Sequence, residues 1–332
     1  MPDVWTHLIC GWEVLKYVDK PFKKIARRDI KLYNFGLQGP DFFYYYNFLP
    51  WTGNKRAFAI GNMIHNEKCG LFFRKSLEYL KDNPDDRTIV YLMALMCHWC
   101  LDRVTHPFIN FISGIPRGEG PGNEKLVNNH KRVEAAIDAI LVKRFLNMDV
   151  RKVPVSTEFN IGPNLPGEVI NLYKTVLPVV FGNEYRDYAG EELFQKSYRD
   201  MIKAHGVLYD PRGIKRFAAS VYDVFSARVE NTRHYFYRAP EKNTEPYMNE
   251  KKREWCHPMD PGECYSESFP ELFQKGVEES VRTVNISMKY ILEGADGEEL
   301  EEVTQDISHS TGKACTDSRE MVCFNPVLIK GR

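Results

Sequence analysis

Apolar residues along this chain recur mostly at three- and four-residue intervals, the signature of helices with one buried face. The segments "AFAIGNMIHNEKCGLFFRKSLEYL" (57–80), "RTIVYLMALMCHWCLDRVTH" (87–106), "NEKLVNNHKRVEAAIDAILVKRFL" (123–146), "KRFAASVYDVFSARVENTRHYFY" (215–237) and "FPELFQKGVEESVRTVNISMKYILEG" (269–294) all carry it. Two-residue alternation is scarce, so the pattern predicts an all-α, multi-helix bundle. Within it "TIVYLMALMC" is apolar nearly all round, which places that helix in the middle. Pro107 disfavours helical geometry at His106 and predicts that the helix ends there. "GLQGPDF", "LPWTG", "GIPRGEGPG" and "IGPNLPGE" supply the loops. The polar, Pro-rich stretch 238–268 reads as a long loop or boundary. It divides the chain into a helical domain over 1–240 and a C-terminal extension over 241–332 with at least one helix.

The central helix ends in "HWCLDRVTH", with His98, Asp102 and His106 spaced four apart. Each such step turns only about 40° and rises about 6 Å, so the three side chains form one ladder at the inner end of an apolar helix. Unpaired polar groups there cost several kcal/mol, and a metal is one natural compensator. His130 and Glu134 repeat the spacing in "NNHKRVEAA", and His65 lies in "GNMIHNEKCGLFF". Imidazole and carboxylate suit zinc, whose catalytic sites use three protein ligands and leave a position for water. His65, His98, Asp102, His106, His130 and Glu134 are enough for two such sites, with Asp102 the natural bridge. A lone HxxxD or HxxxE pair is ordinarily structural; several in one order favour metal binding.

Other features change the picture less. The 45 basic residues balance the 45 acidic ones, so no net field draws the chain to nucleic acid. No apolar run reaches membrane-span length and no secretory signal opens the sequence, so a cytoplasmic setting is expected. The eight cysteines are too few and irregular for a disulfide scaffold and read as thiols. Cys97 and Cys100 of "CHWC" point away from the His98/Asp102 face and read as core thiols. "WCHPMDPGEC" reads as an ordinary loop, and His205, His234 and His309 as ordinary histidines. The aromatic run from Phe42 to Tyr46 is mainly core, with Phe42 or Phe43, and Trp5 likewise, candidates to face substrate. There is no GxSxG elbow or phosphate-cradling Gly loop.

The residues "WTH", "GPDFFYY", "IGNMIH", "HWCLDRVTHP" and "HKRVE", over roughly the first 145 positions, together resemble the zinc-dependent phospholipase C family, whose trinuclear zinc fold is similar to that of single-strand-specific nucleases. The resemblance implies that His65, His98 and Asp102 hold one zinc and that His106, His130 and Glu134 hold a second. It implies a third bound by His7, Asp102 and the amine and carbonyl of the first residue. Asp41 matches the carboxylate that approaches the attacking water as general base. In the secreted enzymes a processed tryptophan is the first residue, whereas Trp5 here is internal. The implied activity is hydrolysis of a phosphodiester, foremost a phospholipid with peripheral membrane contact. A nuclease-like or small-molecule phosphoesterase and a non-catalytic zinc-stabilised binding protein are the alternatives.

Overall fold

The computed structural model describes residues 4–49, 56–115, 126, 128–182, 185, 190–225, 232–294 and 297–327. Its principal helices are α1 (Val4–Tyr17), α2 (Lys20–Arg28), α3 (Ile30–Gly36), α4 (Arg56–Asn66), α5 (Cys69–Asp82), α6 (Asp86–Ser113), α7 (Asn129–Leu146), α8 (Gly167–Phe181), α9 (Glu191–Leu208), α10 (Ile214–Phe225), α11 (Phe269–Glu293) and α12 (Gly297–Val303). A 3-10 segment, Gly39–Tyr45, lies between α3 and α4. The architecture is all-α, apart from one hairpin of β1 (Trp255–His257) and β2 (Asp260–Tyr265).

Helix α6 is the axis. Asp85 starts it by accepting from the Thr88 backbone N–H and hydroxyl, and every residue from Thr88 to Asp102 is buried. Helices α1, α3, α7, α8 and α11 pack around it. Helix α11 approaches closely through Gly276, where a Cβ would meet Leu101 Cδ1 at 2.8 Å. Contact therefore runs freely between the residues before and after 240.

Two features differ from the sequence expectation. Helix α6 does not stop at His106 but continues through Pro107 to Ser113. Interior proline costs about 3 kcal/mol, while Phe108, Ile109 and Ile112 are all buried beyond it, and burial of such side chains stabilises by about 1.5–3 kcal/mol each. Tertiary packing wins over the local penalty. Secondly, the single helix expected over 57–80 is two, broken at Lys68, which has a left-handed φ of 50°. The Lys68 ammonium donates to the Val180 carbonyl, tying the break to α8.

The thiol reading is corrected at one pair. Cys256 and Cys264 face each other across the hairpin and form a disulfide, so the stretch is a stapled β-hairpin rather than an ordinary loop. Cys97 and Cys100 are buried free cysteines, as expected. The staple closes a short loop, so Cys256→Ser is expected to lower stability by about 2–3 kcal/mol. Titration of unfolded wild type should find two more thiols with reductant than without, and equal counts would refute the pairing.

His234 lies in a 3-10 turn, Thr232–Tyr235. Burial first, and then Arg132, Arg238 and Arg233, lower its pKa from 6.5 to about 4. Folding thus favours the neutral ring. Its contribution to stability is whole above the unfolded value of 6.5 and is lost as pH falls towards about 4. Between about pH 7 and pH 5, wild type should lose more urea resistance than His234→Asn. Equal losses in the two proteins would place the acid sensitivity elsewhere.

Candidate metal centre

A buried carboxylate fixes the entry of α1. Asp138, one turn beyond Glu134 on α7, accepts from the Trp5 and Thr6 backbone N–H groups at 3.0 and 2.8 Å and from the Thr6 hydroxyl at 2.6 Å. Those N–H groups are helix-terminal donors, and the negative charge complements the helix dipole. The next residue, His7, is thereby held against α6.

Asp102 is fully buried with imidazoles on both sides of its carboxylate. Its Oδ2 lies 3.0 Å from His98 Nε2 and 3.3 Å from His309 Nδ1. Its Oδ1 lies 3.3 Å from His7 Nε2 and 3.5 Å from His106 Nδ1. Beyond His106, Glu134 Oε1 is 3.8 Å from His106 Nε2 and 2.8 Å from His130 Nε2. Ligand-type atoms of His65, His98, Asp102 and His309 lie within 4.8 Å of one another, as do those of His106, His130 and Glu134. The two helical ladders therefore meet.

The tautomers can be read from the surrounding carbonyls. His65 Nδ1 is 2.7 Å from the Gly61 carbonyl and His98 Nδ1 is 3.0 Å from the Leu37 carbonyl. A carbonyl only accepts, so both Nδ1 atoms carry hydrogen and each Nε2 presents its lone pair to the cluster. A lone pair 3.0 Å from a carboxylate oxygen, as at His98 and Asp102, requires a cation between them, either a proton or a metal. Without metal the proton takes that place: burial pushes the His98 pKa down, but Asp102 and Asp41 outweigh it and leave it raised. Burial likewise disfavours ionised Asp102, but His98, His106 and His7 hold its pKa well below the carboxylate range. His7 stays neutral, lowered to about 4 by burial and then by His98.

The fit to a metal rests on what these atoms lack. His7 Nε2, His65 Nε2, His98 Nε2, Asp102 Oδ1, His106 Nδ1 and His309 Nε2 are buried without a hydrogen bond of acceptable geometry. Each such atom costs roughly 1–3 kcal/mol, and a borderline cation coordinated by nitrogen and oxygen would satisfy several at once.

The "GPD" stretch shapes the cluster from the other side. Gly39 has φ +59°, and a Cβ there would sit 2.3 Å from the His98 ring, so glycine is needed for both the turn and the histidine. Two residues later Asp41 Oδ1 reaches to 3.1 Å from His65 Nε2 and 3.8 Å from His98 Nε2. Asp41 is not a member of the mutually close ligand group. Its side chain is 13% exposed, and that of His130 is 33% exposed. They are the accessible edge of an otherwise buried cluster.

Three sequence expectations need correction. Phe42 and Phe43 are fully buried and pack with Phe35, Tyr173 and Phe194, so they are core rather than substrate wall. Trp5 is also buried, edge-on to Trp12. Of this run it is Tyr44 that lies beside the cluster, with its hydroxyl 3.1 Å from His65 Nδ1 and its ring against the exposed Phe58. Third, His309 is no ordinary histidine, since it contacts Asp102. Its sequence signal is slight, the turn-rich "SHSTG" around it, because no histidine or carboxylate stands four residues from it. The proposed role of the first residue lies outside the described residues.

These residues can be set beside known families. The family model described as zinc dependent phospholipase C matches residues 6–205. The chain belongs to the zinc-dependent phospholipase C family. Neither the search of curated proteins nor that of solved structures found a match. Zinc is accordingly the cofactor, hydrolysis is the reaction class at its coarsest, and the buried His/Asp clusters suit two or three ions. His309 lies more than a hundred residues beyond the matched segment.

Proposed function

We propose that this protein is a zinc-dependent phosphodiester hydrolase acting on phospholipids. The observation that carries the reading is the two-sided Asp102, with His98 against one oxygen and His7 and His106 against the other. In this reading His65, His98 and Asp102 hold one ion, and His106, His130 and Glu134 hold a second. His7 and Asp102 would serve a third. When bound, zinc lowers the pKa of water and neutralises charge on phosphate oxygens as it develops.

The chain's own groups supply position and proton transfer. The carbonyls of Gly61 and Leu37 orient His65 and His98, and Gly39 leaves room for the His98 ring. Asp41, beside the two imidazoles yet partly open, accepts the proton of the attacking water as general base. Tyr44 and Phe58 offer apolar surface next to it for glyceride or acyl carbon, whose burial contributes roughly 25 cal/mol per Å². Among the described residues no helix is long and apolar enough to cross a membrane, so peripheral contact is the mode of access proposed. The hairpin disulfide favours an oxidising compartment over the cytoplasmic one expected from sequence.

Zinc-loaded protein assayed on short-chain phosphatidylcholine and on single-stranded DNA tests the reading. A neutral chain gains little from counterion release on a polynucleotide, so the lipid should be cleaved faster and with weak salt dependence. Cleavage of DNA with none of any phospholipid would move the protein to the nuclease-like alternative. Stoichiometric zinc with turnover of neither substrate would favour the non-catalytic one.

A further inference from the structure

We infer that His309 is a metal ligand supplied by the C-terminal segment, so that the chain after α12 completes the ion site of His65, His98 and Asp102. The inference rests on the metal-centre reading above and extends it beyond the matched segment 6–205. His309 is fully buried, its Nδ1 is 3.3 Å from Asp102 Oδ2, and its ring centroid is 4.7 Å from that of His65 and 5.6 Å from that of His98. Its Nε2 has no hydrogen-bond partner. An imidazole with a buried, unpartnered nitrogen beside three ligand-type side chains is costly unless a cation uses it.

The backbone around His309 is held as a ligand loop must be. Its N–H donates to the carbonyl of His65 at 2.9 Å, joining two proposed ligands directly. The preceding Ser308 hydroxyl donates to Asn66 Oδ1 at 3.0 Å and accepts from the N–H groups of Ser310 and Thr311, forming a tight turn. Trp99 Nε1, one position after His98, donates to the Ile307 carbonyl at 2.8 Å, and Asn110 Nδ2 donates to the Ser310 carbonyl at 2.8 Å. Gly312, at φ +66°, lies so close to α6 that a Cβ would be 2.4 Å from the Arg103 carbonyl. At the α5 end, Gly70 N–H donates to Asp306 and the Cys315 thiol lies 3.4 Å from the Cys69 sulfur. Further on, Asn325 and Val327 N–H groups donate to the Phe111 and Ile112 carbonyls. The segment is thus fastened along the helix that carries His98 and Asp102, with its one histidine turned inward.

His65, His98, Asp102 and His309 give four protein donors against the three of His106, His130 and Glu134, and zinc can expand to five-coordinate so as to keep a position for water. The first ion is then the tightly retained one.

The test uses the full chain. Wild type and His309→Ala are loaded with zinc, checked for equal helical content by circular dichroism, and challenged with chelator while released metal is counted. The variant should lose one metal equivalent faster by at least the ~10–100-fold that even outer-shell partners of metal sites carry. In parallel, wild type carrying isotope-labelled histidine is loaded with an NMR-active cadmium isotope, which should show scalar coupling to a His309 ring nitrogen. That readout does not depend on the variant folding. Metal bound without coupling to His309 would overturn the inference, whatever the variant does, and leave the proposed function standing. Wild type that binds no metal would overturn both.

Discussion

Asp102→Asn is expected to strip the metal held with His65 and His98 together with that held with His7, and to abolish turnover with it. The substitution removes the one charge around which His7, His98, His106 and His309 gather, and replaces an acceptor oxygen with an amide donor that cannot bind a cation. Losing a ligand weakens a site by more than the ~10–100-fold that outer-shell changes cost, and here one residue serves ions on both of its faces. Metal-free protein should suffer too. Removing one partner of a buried charge cluster typically costs about 3–5 kcal/mol, and Asp102 is held ionised in that state by its imidazole neighbours. Elemental analysis after gel filtration, beside thermal unfolding with and without zinc, measures both effects. Wild-type stoichiometry in the asparagine variant would mean that Asp102 serves packing and hydrogen bonding only.

How far the sequence could reveal this centre depended on how local each signal was. The ladder of His98, Asp102 and His106 and that of His130 and Glu134 were legible because one helical turn places such residues on one face. Glycine before proline and aspartate marked the 3-10 turn, and the structure adds why Gly39 is required: the His98 ring occupies the space of its Cβ. Long-range neighbours left no such trace. His309 reaches Asp102 through a turn secured by hydrogen bonds to Asn66, Trp99 and Asn110, contacts spread over most of the chain. The disulfide was hidden for a related reason, since Cys256 and Cys264 become opposite one another only once the hairpin register is set.

Pro107 and the aromatic run illustrate a different failure, in which the local rule was sound and tertiary burial overrode it. A proline ordinarily limits a helix, yet three buried residues beyond it offset the lost hydrogen bond. The aromatic run was divided between core and site by the 3-10 turn, which buries Phe42 and Phe43 while leaving Tyr44 beside His65. A sequence shows that aromatics are present near Asp41 but not which of them point inward, because 3-10 geometry turns successive side chains about 120° apart.

Asp41→Asn should separate from Asp102→Asn by keeping its metal and losing its rate. Asp41 stands outside the mutually close group of His65, His98, Asp102 and His309, yet its Oδ1 is 3.1 Å from His65 Nε2, so it reaches the centre without being needed to hold an ion. Asparagine preserves the shape and an acceptor oxygen but cannot take a proton near neutral pH. General-base catalysis contributes typically 10²–10⁴-fold, and a loss on the order of that size is expected in kcat, with little change in KM if the carboxylate acts on water rather than on substrate. Zinc content and kcat on short-chain phosphatidylcholine, measured on the same preparation, decide the matter. Unchanged turnover with full metal would remove Asp41 from the chemistry. A parallel loss of zinc would instead make it a ligand, placing its Oδ1 in the coordination shell shared with His65 and His98.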